Sequence, residues 1–146
     1  ELHGNWKSTF TKFMNSLVQN SVHSERSPSE LWNSVAFYNY LQIPAGTTSR
    51  LTQHFNYSEE KDRNALLEVI EELNPDIIIS WGNKVWDAIP EDLGYGHYVA
   101  SEEFSNFHYK YPYKNRELKL IGITHPSTAY KSSYWADVFS KIGVNM

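Results

Sequence analysis

The chain has 146 residues, enough for one compact core, and 40% of them are hydrophobic; its formal net charge of −4 argues against tight generic binding to nucleic acid. It contains no cysteine, which excludes disulfides and thiolate metal sites and fits a reducing cytoplasm, the expected location. No apolar run approaches the roughly 18 residues that a membrane helix needs, and no signal-peptide pattern opens the sequence, so no membrane partner is expected.

Phe10, Phe13, Met14, Leu17 and Val18 recur at helical spacing behind Ser8, a fair N-cap, and predict a helix over 9–20. Residues 20–29 are polar and hold Pro28, so they predict a loop, with Ser29-Glu-Leu-Trp32 as one helical turn. Ser34-Val-Ala-Phe-Tyr-Asn39 reads as a short buried strand. Residues 43–57, with Gly46, three threonines and Asn56, predict a long loop of the kind that is functional or mobile in compact domains. A second helix starts at Ser58, carries Glu59 and Glu60 in its first turn where they favour the dipole, buries Leu66, Val69, Ile70 and Leu73, and stops at Asn74-Pro75.

Asp76-Ile-Ile-Ile-Ser-Trp81 is the clearest strand, continuous and β-branched as in a parallel strand buried on both faces. Gly82 turns the chain and Asn83 caps a short helix over 84–89. A loop over 90–96 leads to a strand at 97–100. Residues 104–113 are ambiguous, because the aromatic run Phe104, Phe107, Tyr109, Tyr111, Tyr113 alternates only in its later half. Lys114-Asn115-Arg116 reads as a turn into Leu118-Lys-Leu-Ile-Gly-Ile-Thr124, a buried strand. Tyr130, Tyr134, Trp135, Val138 and Ile142 mark a last helix over 129–142, which Gly143 ends. Helices alternating with buried strands imply an α/β fold with a mainly parallel sheet covered on both faces, in a single domain over 1–146.

Two compositional features bear on function. Aromatic residues make up 15% of the chain; most suit a core, and the sharper reading is that some stack on a planar ligand. Charge is segregated: residues 58–103 hold twelve acidic and three basic side chains, whereas 104–146 hold six basic and two acidic ones. The basic six are Lys110, Lys114, Arg116, Lys119, Lys131 and Lys141. They read either as ordinary solvated surface or as a positive face around His125.

Thr124-His125-Pro126-Ser127 carries the most chemistry. A histidine at the carboxyl end of a strand lies where open α/β sheets bind ligands. Pro126 disfavours helical geometry at His125, and Ser127 is placed to cap the helix that follows. The other histidines, His3, His23, His54, His97 and His108, are scattered, and His97 and His108 do not match helical metal-ligand spacing, so no metal is expected.

Three segments in order, Ser34–Asn39, Pro75–Gly82 with Asn83-Lys-Val-Trp86, and Ile121–Ser127, make the chain resemble the uracil-DNA glycosylase superfamily over roughly residues 8–142. The resemblance implies a three-layer αβα sandwich around a four-stranded, mainly parallel sheet. It also implies cofactor- and metal-free hydrolysis of an N-glycosidic bond after base flipping, with DNA or a nucleobase-containing ligand as partner. Carried over, it gives Asn39 the reading of the base's edge, His125 the stabilisation of charge on the leaving base, and Ser127 a phosphate contact. The family's glycine-rich first strand, which positions the water, has no counterpart in Glu1–Trp6; it lies upstream of residue 1 or this chain lacks it. Thr128 stands for the family's second proline. Ala129 stands at the position of its large apolar wedge, and Tyr130 is the candidate substitute. Read without the family, Asn39 equally suits a turn and His125 is a plain strand-end histidine. The departures also raise an alternative: a non-catalytic member of the fold that binds a nucleotide, nucleic acid or protein partner. A third reading is a hydrolase of a small nucleoside-like compound, with loop 43–57 closing over it.

Overall fold

A computed structural model of the chain describes residues 5–20, 27–43, 58–91, 93, 95, 99–100 and 108–144. All of the expected loop over 43–57 except Ile43, and the residues His3, His23, His54, His97, Phe104 and Phe107, lie outside the described residues. The chain divides into two compact units, Glu1–Phe37 with Ile123–Met146, and Tyr38–Gly122.

The first unit is helical. Helix α1 (Asn5–Asn20) buries Phe13 and Met14 with Leu17, four and three positions on, on one stripe and packs on α5 (Ser132–Lys141), which buries Ala136, Val138 and Phe139. Phe13 meets Phe139 edge to face at 6.3 Å, and Ser132 Oγ donates to the Lys12 carbonyl at 2.8 Å. Helix α1 begins three residues before Ser8, so Ser8 lies inside it and is not its cap. Between them, α2 (Pro28–Trp32) is a single turn held by a capping box: Ser27 Oγ accepts from the Glu30 N–H, and the Glu30 carboxylate accepts from the Ser27 N–H. Helix α5 ends where expected. Gly143 takes φ 72, its N–H donates to the Ser140 carbonyl, and the Val144 N–H donates to the Phe139 carbonyl, the paired bonds of a Schellman stop.

The second unit holds α3 (Glu59–Leu73), β1 (Ile77–Trp81), α4 (Asn83–Ala88), β2 (Val99–Ala100), β3 (His108–Tyr113) and β4 (Arg116–Ile123, whose last residue belongs to the helical unit). The fold is therefore mixed α/β. Helix α3 starts after its N-cap Ser58 as expected; the Ser58 side chain makes no cap bond, and the fully buried carboxylate of Asp62 accepts from the backbone N–H of Ser58 at 2.9 Å and of Gln42 at 3.0 Å. Asn74 ends α3 in the left-handed conformation, φ 47 and ψ 53, a conformation asparagine tolerates. Arg116 then clamps the turn from α3 into β1, donating to the Asn74 and Pro75 carbonyls and pairing with Asp76 at 2.6 Å.

The sheet has the order β1-β4-β3-β2, with the two-residue β2 at one edge. Two of its pairings, β2 with β3 and β3 with β4, are antiparallel, so the sheet is mixed where the sequence predicts a mainly parallel one. The reason is a hairpin. Tyr113 pairs with Arg116 across a two-residue turn, and Lys114 takes φ 54 there, the positive φ that tight hairpin turns demand. Along this hairpin one face carries Tyr109, Tyr111, Tyr113, Leu118 and Leu120, and the other carries Lys110, Pro112, Glu117 and Lys119. Tyr111, Tyr113, Leu118 and Leu120 are buried with Leu66 and Ile70 of α3, whereas Pro112 and Glu117 are exposed. Half-solvated alternation of this kind belongs to an antiparallel ladder.

Residues 34–39 form no strand. The segment after the turn at Asn33-Ser34 joins no ladder among the described residues, and Ala36, Phe37, Tyr38 and Asn39 are exposed. Phe37 instead packs edgewise on Phe10 at 4.7 Å, so its apolar character serves an aromatic cluster and not a sheet.

Candidate functional site

Strand β4 ends at the buried Ile123, and Thr124 and His125 emerge at its carboxyl end. The His125 carbonyl accepts from both the backbone N–H (3.0 Å) and the hydroxyl (2.8 Å) of Thr128. These bonds close a four-residue turn with Pro126, buried, at its second position, where a fixed φ suits the turn. Inside the turn the His125 ring meets Ser127 twice. The Ser127 backbone N–H lies 3.2 Å from Nδ1 and its hydroxyl 2.7 Å from the same atom.

A backbone N–H has only a donor role. Aimed at Nδ1, it favours the tautomer in which Nδ1 accepts and the ring proton lies on Nε2, while the 2.7 Å hydroxyl contact is compatible with either tautomer. Burial works in the same direction, lowering the His125 pKa from its ordinary 6.5 because the charged form loses hydration. Ser127 was expected to cap the last helix. It does not, because α5 begins at Ser132, its N-cap position falls at Lys131, and Ser127 spends its hydroxyl on the imidazole.

Residues 128–131 turn the chain inward before α5 starts. Tyr130, the wedge candidate, is 7% exposed. Its ring stacks on Trp135 at 6.1 Å and its hydroxyl lies 2.6 Å from Ser16 Oγ. Ser16 gives its own proton to the Phe13 carbonyl, so Tyr130 donates to Ser16. Burial pushes the Tyr130 hydroxyl up to about 12, against a lowering by the Ser16 bond. The phenol thus anchors the 125–128 turn to α1 and is not a side chain projecting to solvent. Ala129 is exposed.

Asn39 belongs to the sheet-bearing unit, and His125 to the helical one. The Asn39 side chain is exposed, and its carbonyl accepts from Gln42 Nε2 at 2.9 Å, within a small turn that the same amide also ties to the Tyr38 hydroxyl at 2.8 Å. The next residue, Tyr40, is buried, donates to the Ala88 carbonyl at 3.0 Å, and is pushed up to about 12 by burial, with the Asp62 carboxylate adding to the shift.

Four of the six basic residues of the carboxyl-terminal third sit beside a carboxylate. Lys110 pairs with Glu117, Lys114 with Glu71, Arg116 with Asp76 and Lys141 with Asp137, at 2.6–3.4 Å. Among the described residues no three His, Asp or Glu side chains gather to hold a metal, and no helix is long and apolar enough to cross a membrane.

Two residues that position these elements escaped the sequence reading. Gly122 lies one residue before Ile123 at the end of β4; a Cβ there would come within 2.7 and 2.8 Å of the Trp86 ring, which stacks on Tyr109 at 4.9 Å. A glycine amid an apolar strand is a signal of such close approach. Asp62, fully buried on an otherwise acidic helix, carried no sequence signal that set it apart. Compared with family models, curated proteins and solved structures, the chain finds no match.

Proposed function

We propose that the chain is a divergent protein of the uracil-DNA glycosylase type, with a three-layer αβα plan, that hydrolyses the N-glycosidic bond of a base flipped out of DNA. The observation that carries the reading is the 125–128 turn, which sets the His125 imidazole at the end of β4 with the Ser127 N–H and hydroxyl against Nδ1. In the reaction the bond between the sugar's C1′ and the base nitrogen breaks, and its electron pair leaves with the base. A neutral Nε2–H donates to the oxygen on which that negative charge collects, and lowers the barrier without having to give up its proton. Water adds to C1′ and releases a proton, leaving free base and an abasic sugar. Asn39 reads the base's edge through its amide, and Ser127 holds the imidazole's tautomer, which its resemblance-derived phosphate contact would have to share.

The alternative, a non-catalytic binder of a nucleotide, nucleic acid or protein partner, has one observation in its favour. Tyr130 is packed inside its own unit and Ala129 is small, so neither supplies a wedge for a vacated base stack.

The test is alkali cleavage of labelled oligonucleotides bearing uracil, hypoxanthine or a mismatch, after incubation with the wild-type chain and with His125→Ala. Excision predicts a cleaved strand with the wild type and a loss of roughly 10²–10³-fold with His125→Ala, the scale of one lost transition-state donor. An uncleaved strand with the wild type removes the proposal. Binding without cleavage supports the alternative, and turnover of free nucleosides without duplex activity supports the small-molecule hydrolase.

A further inference from the structure

We propose that Gln42, held in place by Asp62, is a positioning residue that fixes the backbone of Asn39 and leaves the Asn39 side-chain amide free to meet a ligand. That the ligand is the edge of a flipped base rests on the proposed function; the holding of Asn39 does not. All three residues belong to the sheet-bearing unit.

An asparagine that serves a turn hydrogen-bonds its own amide to backbone nearby. Asn39 departs from that habit. Its carbonyl accepts from Gln42 Nε2, and its side-chain amide, exposed, makes no hydrogen bond among the described residues. Gln42 supplies what the turn needs. Its Nε2 lies 2.8 Å from the Tyr38 hydroxyl, 2.9 Å from the Asn39 carbonyl and 3.4 Å from the Tyr40 carbonyl. One amide thus ties three consecutive residues together, with Asn39 in the middle.

Gln42 is in turn fixed from behind. Its backbone N–H donates to Asp62 Oδ1 at 3.0 Å, while Asp62 Oδ2 accepts from the Ser58 N–H at 2.9 Å. Each oxygen of this fully buried carboxylate has its own backbone partner, so the Gln42 main chain is tied to α3. On the other side Tyr40 is buried, and its hydroxyl donates to the Ala88 carbonyl at the end of α4. Asn39 therefore stands exposed between two anchors. A side chain presented from a fixed backbone loses less freedom when a ligand docks on it. An amide offers one acceptor and one donor side by side, so the group it suits is planar and carries the complementary pair, as the edge of a nucleobase does.

The experiment combines backbone ¹⁵N order parameters with excision kinetics on the uracil-bearing oligonucleotide. The Asn39 N–H is expected at about 0.85 in the wild type and below about 0.6 in both Gln42→Ala and Gln42→Glu. The glutamate keeps the size of glutamine but has no hydrogen to give two carbonyls, so a packing role would tolerate it and a donor role does not. Gln42→Ala should melt close to the wild type, because the backbone bond to Asp62 remains. Asp62→Asn exchanges one acceptor oxygen for a donor and should loosen Gln42 and Asn39 together. In the kinetics, Gln42→Ala is expected to lower kcat/KM roughly tenfold, and to lower it no further in an Asn39→Ala background, since it acts through Asn39. An Asn39 order parameter unchanged in both Gln42 variants overturns the proposal, as does an equal kinetic loss from Gln42→Ala with and without Asn39. An inactive wild type removes the proposed function instead, and the order parameters then decide the holding of Asn39 by themselves.

Discussion

At the scale of single residues, the His125-Ser127 contact is the feature with the most consequence. The sequence makes the strand-end histidine and the proline-stiffened turn legible, because an apolar run followed by His-Pro has few other conformations. It does not reveal what Ser127 touches. Helix caps and ring contacts use the same short hydroxyl, and the choice was made three residues away, where burial of Tyr130 delays the start of α5.

Because burial lowers the His125 pKa in the native state, the unfolded chain binds more protons than the native one at pH below about 6.5. The stabilisation is complete above that pH and is lost as pH falls through the lowered native pKa. The urea midpoint should therefore drop between pH 7 and pH 5, and His125→Gln should remove His125's share of that drop. Tyr130→Phe removes the proton donated to Ser16 and leaves the ring in place. It should cost about 1 kcal/mol, read as a lower melting temperature.

At the scale of elements, the helices were the most legible. The stripes of α1 and α3 each run over more than two turns, although of the α3 stripe Leu66 and Ile70 are buried and Leu73 is 52% exposed, and Asn74 and Gly143 are strong stop signals that the structure uses at φ 47 and φ 72. Strands were harder. Ile77–Trp81 is long and β-branched enough to stand alone, but Val35-Ala-Phe37 is a run too short to separate a strand from side chains packing on a helix. The hairpin of β3 and β4 was readable in principle. Glu117-Leu-Lys-Leu120 alternates, and so do Tyr109, Tyr111 and Tyr113, across a two-residue turn.

Packing around that hairpin makes two predictions. Gly122→Ala drives a methyl into the Trp86 ring and should cost about 1–3 kcal/mol, with a change in tryptophan emission as the stack on Tyr109 opens. Trp86→Leu should make the same substitution cheaper, a coupling visible in a double-mutant cycle. Asp62→Ala takes the acceptor from two backbone N–H groups at a fully buried position, and a loss of roughly 2–3 kcal/mol in chemical denaturation is expected.

At the scale of the whole molecule, composition was sound about class and less so about plan. A mixed α/β chain follows from the alternation of helical and apolar segments, but the antiparallel pairing of β3 with β4 depends on one turn, Lys114-Asn115, that composition does not weigh. The charge asymmetry is real in sequence and is offset locally in space, with Lys110, Lys114, Arg116 and Lys141 each set against a carboxylate. These pairs are solvent-exposed on at least one side, so raising salt to about 1 M should shift the melting temperature little, by the equivalent of no more than about 1 kcal/mol.

The chemistry proposed for the molecule needs one electronic state above all others, an uncharged His125 ring whose hydrogen lies on Nε2. Long-range ¹H–¹⁵N correlation of the histidine rings at pH 7, assigned with His125→Gln, observes that state directly. The account predicts a protonated Nε2 and an unprotonated, hydrogen-bonded Nδ1. An imidazolium, or a ring protonated at Nδ1, would contradict it.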